Sequence, residues 1–158
     1  TEDNLEQVPL HGVYERIFSD EELLVVVGLL NSIPVDYLMR SKVEENINIF
    51  HFEGTQVPRL TDGDDWFDFI WQRAAKLNCY GDEFRELREK LDVEPATTQS
   101  KRRELQAEID AAAFHAYGLN EEEVEFVLND FHTVNEPRLM NDKYLEMVLE
   151  KFQSIIPE

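Results

Sequence analysis

The chain has 158 residues, 42% hydrophobic and 11% aromatic, which suits one domain or two small subdomains with a real core and excludes a disordered composition. Its 34 acidic against 15 basic residues give a net charge of −19, which works against a surface built to neutralise phosphates. The single Cys79 excludes an internal disulfide framework, no apolar run approaches the ~20 residues of a membrane span, and the acidic opening TEDNLEQ is no signal peptide, so a cytoplasmic location is expected.

Taken in order, residues 1–7 are polar and frayed, and residues 8–18 (VPLHGVYERIF) alternate enough for a short extended or β element arriving from an upstream part of a longer protein. Ser19 with Glu22 forms a capping box, and Asp20, Glu21 and Glu22 lie where the helix dipole favours negative charge. The following LLVVVGLL is apolar nearly all round and predicts a buried helix, after which Pro34 suits the first turn of a second one. Ile47, Ile49, Phe50 and Phe52 alternate like a strand, giving a second small extended element over residues 47–57.

The TDGDD cluster predicts a turn capping a helix over residues 65–77, with Trp66, Phe69, Ile70, Arg73 and Leu77 at helical spacing. A calcium loop is the competing reading of its aspartates, but the required glycine and terminal glutamate are missing. A short charged helix over 83–91 turns Phe84, Leu87 and Leu91 inward, and VEPATTQS is a linker. A long helix follows from Thr97 or Thr98 to Tyr117, whose basic start, Lys101-Arg102-Arg103, opposes its own dipole. This triplet is the only basic cluster, and it is a candidate contact for a phosphate or an acidic partner. Gly118 ends that helix, Asn120 caps the next, and a last helix covers 142–152. The expected fold is mainly α, a bundle of six or seven helices with the small extended elements at 8–18 and 47–57, divided into subdomains 1–60 and 61–158.

Two blocks carry a resemblance. The first comprises Leu29-Leu30-Asn31-Ser32, Asp36-Tyr37-Leu38, Arg40, Lys42-Val43, Asn46, Asn48, Phe50 and Gln56-Val57-Pro58. The second is RRELQAEIDAAAFHAYGLNEEEVEFVLNDF, from Arg102 to Phe131. In this order and spacing they resemble the end of the target-recognition domain and the helical tail of DNA adenine methyltransferases from restriction–modification (type IIG-like) and phage-exclusion systems, over residues 19–152. The resemblance implies S-adenosylmethionine as the cofactor of the parent enzyme, bound upstream of Thr1, with DNA as the parent's partner and the upstream methyltransferase domain as this chain's neighbour. No membrane partner is expected. If DNA is contacted here, Arg40, Ser41, Lys42, Asn46, Asn48 and His51 are the candidates, since Asn reads adenine bidentately and Arg or Lys holds phosphate or guanine. An equally weighted reading has Asn46 and Asn48 capping or turning the chain. Glu44-Glu45 departs from the small residues of the resembled family and places two carboxylates at that junction.

Catalysis by the chain alone is not expected. It has no glycine-rich cofactor turn and no Pro-Pro-aromatic motif to hold a flipped base, and His11, His51, His115 and His132 lack metal-ligand spacing. No cofactor or metal is therefore assigned to it. The charge has two readings: a haloarchaeal-type surface kept soluble in concentrated salt, favoured because the acidity is spread over every predicted helix, or a solvated docking module that does not touch DNA. The alternative function is accordingly an acidic helical protein-interaction or DNA-mimic module.

Overall fold

A computed structural model describes residues 18–42, 48–131 and 140–157. Among them are eight α-helices, one 3-10 turn and no strand. In chain order the helices are α1 (Asp20–Leu30), α2 (Ile33–Arg40), α3 (Ile49–Glu53), α4 (Phe67–Asn78), α5 (Arg85–Leu91), α6 (Gln99–Ala116), α7 (Glu121–Phe131) and α8 (Asp142–Ser154), with the 3-10 turn (Asp82–Phe84) ahead of α5. The mainly helical expectation is met. The extended element expected over 47–57 is instead helical at Ile49–Glu53: Asn48 Oδ1 accepts from the backbone N–H of Phe50 and His51 and starts a helical turn where apolar alternation suggested a strand. The element expected over 8–18 falls almost entirely outside the described residues.

Local chemistry sets most boundaries. The capping box at α1 is complete, with Ser19 Oγ accepting from Glu22 N–H and Glu22 Oε2 accepting from Ser19 N–H at 2.8 Å. Asn120 and Glu123 repeat the device at α7, Thr98 Oγ1 accepts from Lys101 N–H at α6, and Asn141 Oδ1 accepts from Tyr144 N–H at α8. Gly118, at φ +73°, closes α6 in the left-handed conformation, and Leu119 N–H donates back to the carbonyl of Phe114. The start of α4 corrects one expectation. The TDGDD aspartates do not cap it: Asp64 Oδ2 accepts from Thr61, and the N-cap is Trp66, a buried residue at φ 72°.

α6 is the hub. It packs on α1, α2, α4 and α8, and from Ala107 to Phe114 every residue is buried. Ala107, Ala111, Ala112 and Ala113 let the neighbouring backbones come close on several sides. One core cluster joins Ile33 of α2 to α6, α7 and α8 through Phe114, Val124, Leu128, Tyr144 and Val148. A second joins Val25 and Leu29 of α1 to Trp66, Phe69 and Ile70 and to Ala112 and Ala113. A third gathers Leu24, Ala74, Ala75, Cys79, Val93 and Ile109, with Phe84, Leu87 and Leu91 packed against it. All three clusters combine residues from before and after Leu60, the boundary drawn between subdomains from sequence, so the described parts of the two share their cores.

α1 crosses α4 closely at Gly28. A Cβ placed on Gly28 would lie 2.8 Å from Ile70 Cγ2, an atom held by the single χ1 rotamer that a β-branched residue prefers within a helix. Gly28→Ala improves helix propensity by about 1 kcal/mol but forces α1 off α4, a net cost of roughly 1–2 kcal/mol. Urea unfolding with an unchanged m-value and a lower midpoint is the expected result.

Candidate functional site

The candidate DNA-contact residues at the end of α2 meet the segment after α3 at one corner. Lys42 Nζ donates to the Gly54 carbonyl at 2.5 Å, and Thr55 Oγ1 lies 2.9 Å from Met39 Sδ, so the two segments are tied together. Arg40 grips Asp36 with both arms of its guanidinium, at 3.0 and 2.9 Å, and lies 5.0 Å above the ring of Phe131. Ser41 Oγ donates to the Leu38 carbonyl at 2.7 Å. Asn48 starts α3, and its N–H faces His51 Nδ1 at 3.3 Å. Asn46 and the Glu44-Glu45 pair lie outside the described residues. The structure thus ties Lys42 to the segment after α3, while Arg40, Ser41, Asn48 and His51 are each engaged with neighbours along the chain.

The basic triplet at the start of α6 diverges. Lys101 Nζ donates to Glu104 on its own helix at 2.8 Å. Arg102 Nη1 donates to the carbonyls of Leu77, at 2.9 Å, and Ala96. Arg103 lies 4.3 Å over the ring of Tyr144 on α8. The mismatch with the dipole of α6 therefore has a tertiary explanation: Arg102 neutralises the carbonyl end of α4, where positive charge is favoured. Arg102 and Arg103 also border a half-open cleft of about 510 Å³, together with Asn31, Asn78, Gln99 and Gln106.

Beneath that cleft lies a group that periodicity did not reveal. Asp110 sits in the apolar run of α6, 1% exposed. Its Oδ1 accepts from the backbone N–H of Ile33 at 2.8 Å, and its Oδ2 accepts from the Tyr144 hydroxyl. Ser32, the N-cap of α2, makes no capping bond with its side chain, so a carboxylate 77 residues away satisfies the helix start instead. Burial pushes the Asp110 carboxyl up to about 7, against the opposing pull of the Tyr144 hydroxyl and the Ile33 N–H, with Asp36 adding to the rise and Arg103 opposing it. The only sequence clue was an acidic residue between Ile109 and Ala111 in a face otherwise built for packing.

Glu108, the second buried acid of α6, has the opposite solution. It accepts from Arg73 Nε of α4 at 2.7 Å and from Lys151 Nζ of α8 at 2.8 Å, and Lys151 also reaches Glu104. Burial alone raises its carboxyl, but the two cations prevail and hold it below the usual range. Nearby, His115 lies between Trp66 and Phe152, stacked at 4.6 and 4.1 Å, with Nε2 2.9 Å from the Phe152 carbonyl. Trp66 is therefore core, and Trp71 donates its indole N–H to Asp68 at 2.8 Å. Among the described residues no three His, Cys, Asp or Glu side chains converge to hold a metal ion.

The two buried acids predict a stability maximum in mildly acidic solution. Asp110 has its folded-state pKa raised, so its contribution is full below the unfolded carboxylate range near ~4 and is lost as pH rises through about 7. Glu108 is depressed, so its contribution is present above that range and is lost as pH falls. Urea midpoints should decline from pH 5 to pH 8, and Asp110→Asn, which has no carboxyl to ionise, should flatten that decline.

No single helix among the described residues is long and apolar enough to cross a membrane. Comparison with known protein families, with curated proteins and with solved structures finds no match for this chain.

Proposed function

We propose that this chain is the non-catalytic helical part of a DNA adenine methyltransferase of the restriction–modification or phage-exclusion kind, acting as a scaffold rather than as the main DNA-reading surface. S-adenosylmethionine and the chemistry belong to the methyltransferase domain of the parent, and target DNA is the parent's partner. A cytoplasmic setting goes with that substrate, and the charge of −19 fits a halophilic source. The observation that carries the reading is the bond between the two family-like blocks. Asp110, in AEIDA of the second, accepts from Ile33, beside LLNS of the first. Motifs 77 residues apart in sequence are thus halves of one packed unit, as expected if they were inherited together.

The scaffold role is favoured over direct DNA contact by how the candidate contacts are occupied. Arg40 faces Asp36, Lys42 holds a carbonyl, and Asn48 holds a helix start, so a phosphate or base would compete with bonds already made. Phosphate affinity depends on cations that displace the counterions of DNA, and this chain carries a net charge of −19.

Two measurements test this. The gene product that includes this chain should transfer a methyl group from S-adenosylmethionine to adenine N6 in duplex DNA, and absence of methylation on a panel of duplexes overturns the enzyme reading. The chain by itself should show no duplex binding across a salt series. Binding that falls roughly tenfold in the Arg40→Ala/Lys42→Ala double variant would move the recognition surface to the α2–α3 corner instead.

A further inference from the structure

The outer face of α7 is unusual for a chain so rich in carboxylates. Val124, Val127, Leu128 and Phe131 point into the core, while Glu121, Glu122, Glu125 and Asp130 face solvent with one large aromatic among them, Phe126, 68% exposed. Phe126 forms one wall of an open groove of about 440 Å³, whose other apolar walls are Tyr37 of α2, Leu119 and Val127, and whose rim carries Glu122 and Glu123. The rim differs from the ion-paired interior. Glu123 caps α7 through Asn120 N–H, but the Glu122 side chain, four residues before Phe126, makes no hydrogen bond or ion pair among the described residues, and neither does that of Glu125, which lies outside the groove lining. Among the described residues no lysine or arginine lines the groove.

We infer that this groove is a docking site for a cationic amphipathic helix of a partner protein, which inserts an apolar side chain between Phe126 and Tyr37 and sets Lys or Arg against Glu122 at the rim and against Glu125 just outside it. The pattern is that of an interface anchor, an aromatic in a small apolar depression ringed by polar groups that exclude water when covered. Charge complementarity selects the occupant. A second copy of this chain would bring the same carboxylates to the same face, and DNA or an anionic lipid surface would meet repulsion; a basic helix meets attraction at Glu122 and Glu123 on the rim and at Glu125 beside it. The inference rests on this groove and does not depend on the methyltransferase reading.

The probe is a synthetic amphipathic peptide of about 14 residues, four helical turns, with Leu along one face and Lys on the other. A second peptide of the same length and charge has its Leu positions replaced by Ser. Affinities are measured by fluorescence anisotropy at near-physiological salt, and backbone amide shifts locate the contact. The amphipathic peptide should bind, perturbing α7 and Tyr37, and Phe126→Ala should weaken it roughly tenfold, as for an anchor residue. Glu122→Gln/Glu125→Gln should weaken it several-fold and reduce its salt dependence. Tyr80→Ala, which removes another exposed aromatic outside the groove, should leave affinity unchanged. Equal binding of the Ser-substituted peptide, no loss on Phe126→Ala, or equal loss on Tyr80→Ala would overturn the inference by showing only diffuse attraction to an acidic surface. Phe126 is exposed, so its truncation should leave the thermal midpoint in place, and a fall in that midpoint would assign the residue to the fold instead.

Discussion

A helix buried on all sides cannot leave a carboxylate to solvent, and the structure turns on how α6 meets that constraint. Eight consecutive residues, Ala107 to Phe114, are shielded from water, and two of them are acids. Glu108 is held ionised by Arg73 and Lys151, which fastens α4 and α8 to the hub. Asp110 takes a helix start on one oxygen and a tyrosine hydroxyl on the other, which fastens α2 and α8. Unpaired, either acid would be strongly destabilising; satisfied, each fixes the position of two further helices relative to α6. Apolar contacts alone would tolerate sliding along the hub, whereas a hydrogen bond to a particular N–H does not.

The same economy explains the surface. With 15 basic residues against 34 acidic ones, several cations are used inside the chain. Arg73 and Lys151 serve Glu108, Arg102 serves the end of α4, Arg88 reaches the carbonyls of Cys79 and Gly81, and Lys42 ties α2 to the segment after α3. Carboxylates remain outside in excess, so the exterior field is negative, and the helical caps draw on part of that excess at Glu22 and Glu123. A surface of this kind suits protein contacts with basic partners better than phosphate contacts. At the Phe126 groove exposed apolar area and an unpaired carboxylate, Glu122, coincide.

Much of the fold was legible in the residues. Ser19, Thr98 and Asn120 announce helix starts because a short side-chain oxygen next to an apolar period has few other uses, and Gly118 announces an end because a left-handed residue costs glycine little. The spacing of Trp66, Phe69 and Ile70 identified the buried face of α4. Residues 49–53 misled because Ile49-Phe50-His51-Phe52 satisfies a two-residue and a helical period over so short a run, and the Asn48 cap decided between them. The candidate site was legible as a list of residues but not as an arrangement: nothing local distinguishes an Arg40 that faces Asp36 from one that faces solvent.

By itself, then, the sequence determined the helical class, most of the caps, the inward faces and the acidic exterior, because each depends on residues within one or two turns of one another. Only the tertiary structure decided that α6 is the hub, that Asp110 begins α2, that Arg102 ends α4, and that Phe126 stays outside. Those facts depend on which segments distant in sequence become neighbours, and burial, the quantity that turns an ordinary aspartate into a structural bond or an ordinary phenylalanine into an exposed anchor, exists only after the helices have packed.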